Sequence, residues 1–144
     1  MADIFTTMKI SASAMASQRT RLNVISANVA NVETTRTPEG GPYRRQEVVF
    51  RTDQLGFAGT LDRAVRDSVQ GVAVDEIRTA DSPPRIVYDP GHPDADGEGM
   101  VAMPNVDVLE EMVDMMTAAK AYEANVTVIK SAKRMALKAL DIGK

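Results

Sequence analysis

All seven prolines of this 144-residue chain fall between Pro38 and Pro104, and eight of its nine glycines fall between Gly40 and Gly99. Before Thr37, and from Val106 to Ile142, there is neither residue. Proline removes a backbone donor and glycine loosens the chain, so long stretches free of both are where helices run unbroken. The pattern predicts an N-terminal helix within 1–36, a punctuated middle over 37–105 and a C-terminal helix within 106–144.

The flanks carry a helical repeat. Alternate steps of four and three from Ile4 give Met8, Ser11, Met15, Gln18, Leu22, Ile25, Val29 and Val32, of which seven of nine positions are apolar. The same steps from Val108 give Met112, Met115, Ala119, Tyr122, Val126, Ile129, Lys133, Ala136 and Leu140, where only Lys133 is polar. A mean spacing of about 3.5 residues is that of a helix burying one seam against another helix. The seams serve either a helix pair within one chain or contacts between chains. Ser11, Gln18 and Lys133 are of the kind that fixes register or partner. Asp3 is placed to cap the first helix, and Asp107 with Glu110 forms a capping-box variant for the second.

The middle reads as short strands at Tyr43–Arg51, Val72–Arg78, Arg85–Tyr88 and Met100–Met103, separated by turns such as TPEGGP and DPGHPDADGEG. Thr52–Gln70 has weak patterning and suits a loop or short helix. The expected class is therefore α+β: two long terminal helices pairing as a coiled coil, with a small β-rich middle.

Composition narrows the function. A net charge of −3 with scattered Lys and Arg points away from nucleic acid. With no Cys and a single His, neither thiolate chemistry nor a supported Ser–His pair is available, Ser82 with His92 lacking any surrounding motif. No phosphate loop, dinucleotide fingerprint or zinc helix is present, so no cofactor and no catalytic residue is assigned. The loop Asp89–Gly99 gathers Asp89, His92, Asp94, Asp96 and Glu98. Its spacing nevertheless fails the calcium-loop pattern; one reading is weak binding of a divalent ion, the other a surface loop whose Asp, Gly and Pro residues set its turns. No stretch of about 20 apolar residues spans a membrane. The N-terminus also lacks the basic and apolar regions of a cleaved signal.

Three stretches carry a family likeness: SASAMASQRTRLNVI over 11–25, SANVANVETTRTPEGGPYRRQ over 26–46, and the run from Val87 to Leu140 containing DPGHPDADGEG and PNVDVLEEM. Together they resemble the flagellar basal-body rod proteins, in the proximal-rod branch. The motif residues are Asn28, Asn31, Thr34, Thr35, Pro38, Gly40 and Gly41. Glu33 departs from a frequent Asn, and Arg36-Thr37-Pro38 replaces the Gly-Tyr common in the wider family.

The resemblance implies a structural subunit of the bacterial flagellar rod, in the periplasm. It implies export through the flagellar type III apparatus without a cleaved signal. Its partners would be copies of itself and other rod proteins, joined in a helical tube that carries motor torque. The seam residues Ile4, Met8, Met15, Leu22, Ile25, Val29, Val32, Val108, Met112, Met115, Ala119, Tyr122, Val126, Ile129 and Leu140 would meet neighbouring subunits. The alternative reading is a cytoplasmic coiled-coil adaptor or chaperone-like module.

Overall fold

The computed structural model describes residues 2–54 and 70–142. In chain order the elements are α1 (Ala2–Ala30), β1 (Gln46–Gln54), β2 (Gln70–Thr79), β3 (Arg85–Tyr88), β4 (Met100–Met103) and α2 (Val108–Ile142). The α+β expectation holds: two long helices flank a small β region. Of the Thr52–Gln70 stretch, expected as loop or short helix, the described ends are strand instead, Thr52 to Gln54 closing β1 and Gln70 opening β2, and the rest lies outside the described residues.

Helix α1 has 29 residues and α2 has 35, about 44 and 53 Å at 1.5 Å per residue. Because α1 already begins at Ala2, Asp3 sits inside its first turn rather than in front of it. At the other end the Asn31 N–H reaches both the Ala27 and Asn28 carbonyls, at 3.1 and 3.2 Å, which tightens the last turn. Helix α2 takes the Asp107 half of its expected cap, while the Glu110 carboxylate lies 3.8 Å from Arg45. Asp107 Oδ1 accepts the Leu109 N–H at 2.8 Å and the Glu110 N–H at 3.4 Å, satisfying donors that no earlier carbonyl can reach.

The helices pack against each other and run antiparallel, since Asn28 of α1 bonds Glu111 of α2 and Arg21 pairs with Asp114 further along. The exposed positions of α1 are Phe5, Lys9, Ala12, Ala16, Arg19, Asn23, Ser26 and Ala30, spaced by alternate fours and threes. They are mostly polar or small. Every expected seam position of α1 is buried or half-buried, with Ile25 only 4% exposed.

Two strands, β1 and β2, form an antiparallel arm. Its register shifts at Val49/Phe50, where Asp75 is the extra residue of a bulge. The arm lies lengthwise on α1. Ser13 Oγ accepts the Val72 N–H at 3.2 Å, and Ser17 Oγ donates to the Val72 carbonyl at 3.1 Å. Two serines one helical turn apart thus satisfy both polar groups of a β2 residue, as a neighbouring strand would. From this pair to Asn28 the rise along α1 is roughly 20 Å. Gln46 to Thr52, the partner of Val72, spans about the same distance at 3.3 Å per residue.

The β3–β4 hairpin closes through the acidic loop. Gly99 has φ +77°, and a Cβ there would come within 3.0 Å of the Tyr88 ring and 3.1 Å of Pro90, so the loop needs glycine at this point.

Candidate assembly interface

The stretch Ser26–Gln46 winds back on itself. Gly40 and Gly41, at φ +93° and +80°, supply the left-handed backbone of a turn in which Thr37 bonds the Gly41 carbonyl at 2.9 Å. The Tyr43 N–H then reaches the Thr34 carbonyl at 2.9 Å. Asn31 bonds locally: its Nδ2 donates to the Ala27 carbonyl and its Oδ1 accepts from the Thr34 hydroxyl. Thr35 leaves this loop to donate to Asp94 at 2.7 Å, with Arg36 3.6 Å from the same carboxylate.

Asn28 is 1% exposed and makes four bonds. Its Oδ1 accepts from the Tyr43 hydroxyl and the Gln46 N–H, both at 2.9 Å. Its Nδ2 donates to the Gln46 carbonyl at 2.9 Å and to Glu111 Oε2 at 3.1 Å. Glu111 is equally buried, and its other oxygen accepts from Arg45 Nε at 2.6 Å. Arg45 also reaches Glu47 at 3.1 Å and Glu110 at 3.8 Å, and Arg78 pairs with Glu47 at 3.0 Å. Burial alone would lower the Arg45 pKa. The Glu111 hydrogen bond and the charges of Glu111, Glu110 and Glu47 outweigh burial and raise it. Burial raises the Tyr43 phenol first, and the Glu111 charge adds to that. A polar junction therefore ties the end of α1, the start of β1 and the first turn of α2.

Apart from Asp94, which Thr35 and Arg36 engage, the acidic loop uses its acceptors on its own turns. Asp96 Oδ1 accepts the Glu98 and Met100 N–H groups, Asp89 Oδ1 that of Gly91, and His92 Nδ1 that of Asp94. Among the described residues no three His, Cys, Asp or Glu side chains converge as metal ligands.

The α2 seam, expected to meet neighbouring subunits, is divided: part of it faces outward and part lies beside α1. Val108, Met112, Ala119, Tyr122, Lys133 and Leu140 are exposed, while Met115, Val126, Ile129 and Ala136 are half-buried. The fully buried positions are Glu111, Ala118 and Ala132. With half-buried Asn125 they repeat every seven residues, one position before Met112, Ala119, Val126 and Lys133. Small side chains there let the helices approach closely, and Glu111 takes its place through the junction.

A second face of α2 is left open. Leu109, Val113 and Met116 are 74%, 62% and 59% exposed, and Leu137 and Leu140 form a further exposed apolar pair toward the C-terminal end. On α1 the one large exposed apolar residue recorded is Phe5. Apolar periodicity along α2 was visible in the sequence; which flank of the stripe turns outward was not.

Comparison with known proteins places both helices. Residues 8–36 match the family model described as flagella basal body rod protein, and residues 98–142 match the flagellar basal body rod FlgEFG protein C-terminal. The chain is 45% identical to the flagellar basal-body rod protein FlgC of Borreliella burgdorferi, over 96% of this chain and 97% of that protein. It is 44% identical to the protein of the same name in Bacillus subtilis, over 97% and 98%. Against that of Salmonella typhimurium the identity is 42%, over 93% of each chain.

Proposed function

The chain belongs to the flagellar basal-body rod proteins of the FlgC family, and on that footing we propose that it builds the wall of the proximal rod with its outward α2 face. It is a structural subunit of the bacterial flagellar basal body. The observation carrying the mechanism is the apolar surface of Leu109, Met112, Val113 and Met116, with Leu137 further along, exposed on a helix whose opposite side is already covered by α1. Each large side chain that a neighbour buries contributes roughly 1.5–3 kcal/mol. Many such contacts, repeated by a screw operation that never closes, make a tube rather than a ring. Torque is then shared among many contacts.

The α1–α2 pair acts in this reading as a coiled-coil unit of the wall, and the half-covered Met115, Val126 and Ile129 sit between its inner seam and the neighbours. Other rod proteins and further copies of the chain are its partners. No helix among the described residues is long and apolar enough to cross a membrane; passage through the flagellar type III apparatus is the export route proposed. A cytoplasmic adaptor is not favoured, because the relatives are named as rod proteins. For the same reason no catalytic function is proposed.

The double variant Val113→Asp/Met116→Asp tests the assignment. Both positions are exposed in the single chain, so the purified protein keeps its unfolding temperature. The variant is expected to be missing from detergent-extracted basal bodies and its cells to be non-motile. Normal incorporation and swimming would refute α2's outer face as the wall contact.

A further inference from the structure

A two-stranded arm has little stability of its own, and the β1–β2 arm must take its direction from whatever it leans on. Two anchors hold it on α1. At one end Ser13 and Ser17 grip Val72. At the other, Asn28 pairs with both backbone groups of Gln46, the first residue of β1. These bonds are directional, so they fix position and rotation together, which apolar contact does not. The Asn28 end is locked to the second helix as well, through the bond to Glu111 and from Glu111 to Arg45. Segments 66 and 83 residues apart in the chain meet there.

The chemistry of that end is poorly suited to mere stability. A carboxylate 1% exposed loses its hydration. Replacing a buried ion pair with apolar residues of similar size is often neutral or stabilising. What such a pair supplies is a unique arrangement: slippage of the arm or rotation of α2 would leave Glu111 without Arg45.

We propose that the Asn28–Glu111–Arg45 junction is a positioning device, setting the direction of the β1–β2 arm on the helix pair, and that incorporation into the rod depends on this setting. The proposal rests on the rod reading above. The arm must project at one angle from every subunit if neighbours are to meet it identically around a helical wall.

The test is the double variant Arg45→Met/Glu111→Leu. It removes both charges together: Glu47 keeps Arg78, Asn28 keeps Tyr43 and both groups of Gln46, and the one group left unpaired is the Asn28 Nδ2 hydrogen that Glu111 accepted. The chain has no cysteine, so spin labels at Glu76→Cys on the arm and Lys120→Cys on α2, both exposed, report their separation without interference. The variant is expected to stay folded, to show a broadened label-to-label distance distribution, and to be lost from purified basal bodies. An unchanged distribution with full incorporation overturns the proposal. Should the double variant fail to fold, Tyr43→Phe deletes one hydroxyl from the same junction; a broadened distribution supports the device and an unchanged one overturns it. Absence of the unaltered chain from basal bodies would defeat the rod reading instead, while the label distances would still report on the junction.

Discussion

Helix α1 lies between two neighbours of its own chain, the β1–β2 arm and α2, whereas α2 is covered by α1 and turns much of its circumference outward. Both carry apolar residues at a mean spacing of about 3.5. In α1 the repeat marks a stripe already covered, opposite a polar stripe containing Lys9, Arg19 and Asn23. In α2 it runs through a helix apolar on more than one side. A periodic seam therefore announces that a helix has a partner, and the face opposite the seam tells whether it has one partner or several.

Removing a large side chain from each helix should expose the contrast most strongly. Ile25→Ala empties a position 4% exposed and is expected to cost about 2–4 kcal/mol of unfolding free energy. Met112→Ala, at a position 52% exposed, should stay within about 0.5 kcal/mol. Denaturant titration of the purified variants reads both. Equal losses would mean that α2 is as well covered as α1.

Two adjacent alanines sharpen the register of α2. Ala118 is fully buried and Ala119 exposed. Ala118→Leu forces extra volume into a close helix contact and is expected to cost about 1–3 kcal/mol, while Ala119→Leu should leave unfolding nearly unchanged. A loss at Ala119 instead would restore the seam through Met112, Ala119 and Val126.

Which face of α2 meets α1 was not legible in the sequence, for a physical reason. In α1 one face is apolar and its opposite polar or small, so a single rotation of the helix satisfies both, and the inward stripe was legible from Ile4 to Val29. In α2 the rotation burying Met112 and Ala119 competes with one burying Ala118 and Ala132. Hydrophobicity favours the former. The deciding residue is Glu111, whose charge argues for solvent until Arg45 and Asn28 are placed beside it. Such long-range compensation has no local signature. Its one trace was the excess of polar residues able to bridge segments: Asn28, Tyr43 and Arg45 in a single signature stretch. All four strands were readable, β3 and β4 at their expected residues, whereas β1 runs Gln46–Gln54 rather than Tyr43–Arg51 and β2 extends to Gln70–Thr79. The role of Ser13 and Ser17 as an anchor for β2 was not, since in sequence they look like ordinary small positions of a helix.

A smaller effect separates the two helix starts. Asp107→Ala removes the acceptor for the Leu109 and Glu110 N–H groups and is expected to cost about 1 kcal/mol. The loss should appear in thermal unfolding as a modest drop. An unchanged unfolding temperature would mean that the junction at Glu111, one turn on, holds the start of α2 without its cap.

The smallest effect is one of pH and concerns the α1 side alone. Burial, with the Glu111 charge behind it, holds the Tyr43 phenol above its ordinary value in the folded chain. A group raised in this way contributes stability that is fully present below its unfolded pKa and is lost as pH rises through the folded one. The unfolding temperature should therefore be insensitive to Tyr43 up to about pH 10 and fall above it, because a phenolate can no longer donate to Asn28 Oδ1 and carries a charge beside Glu111. Only part of the ring is covered, so solvent screening keeps the fall shallow. In Tyr43→Phe that share of the alkaline fall should vanish. An identical fall in both proteins would show that the Tyr43–Asn28 bond does not help hold the arm to the end of α1, leaving Gln46 and the two serines as its anchors.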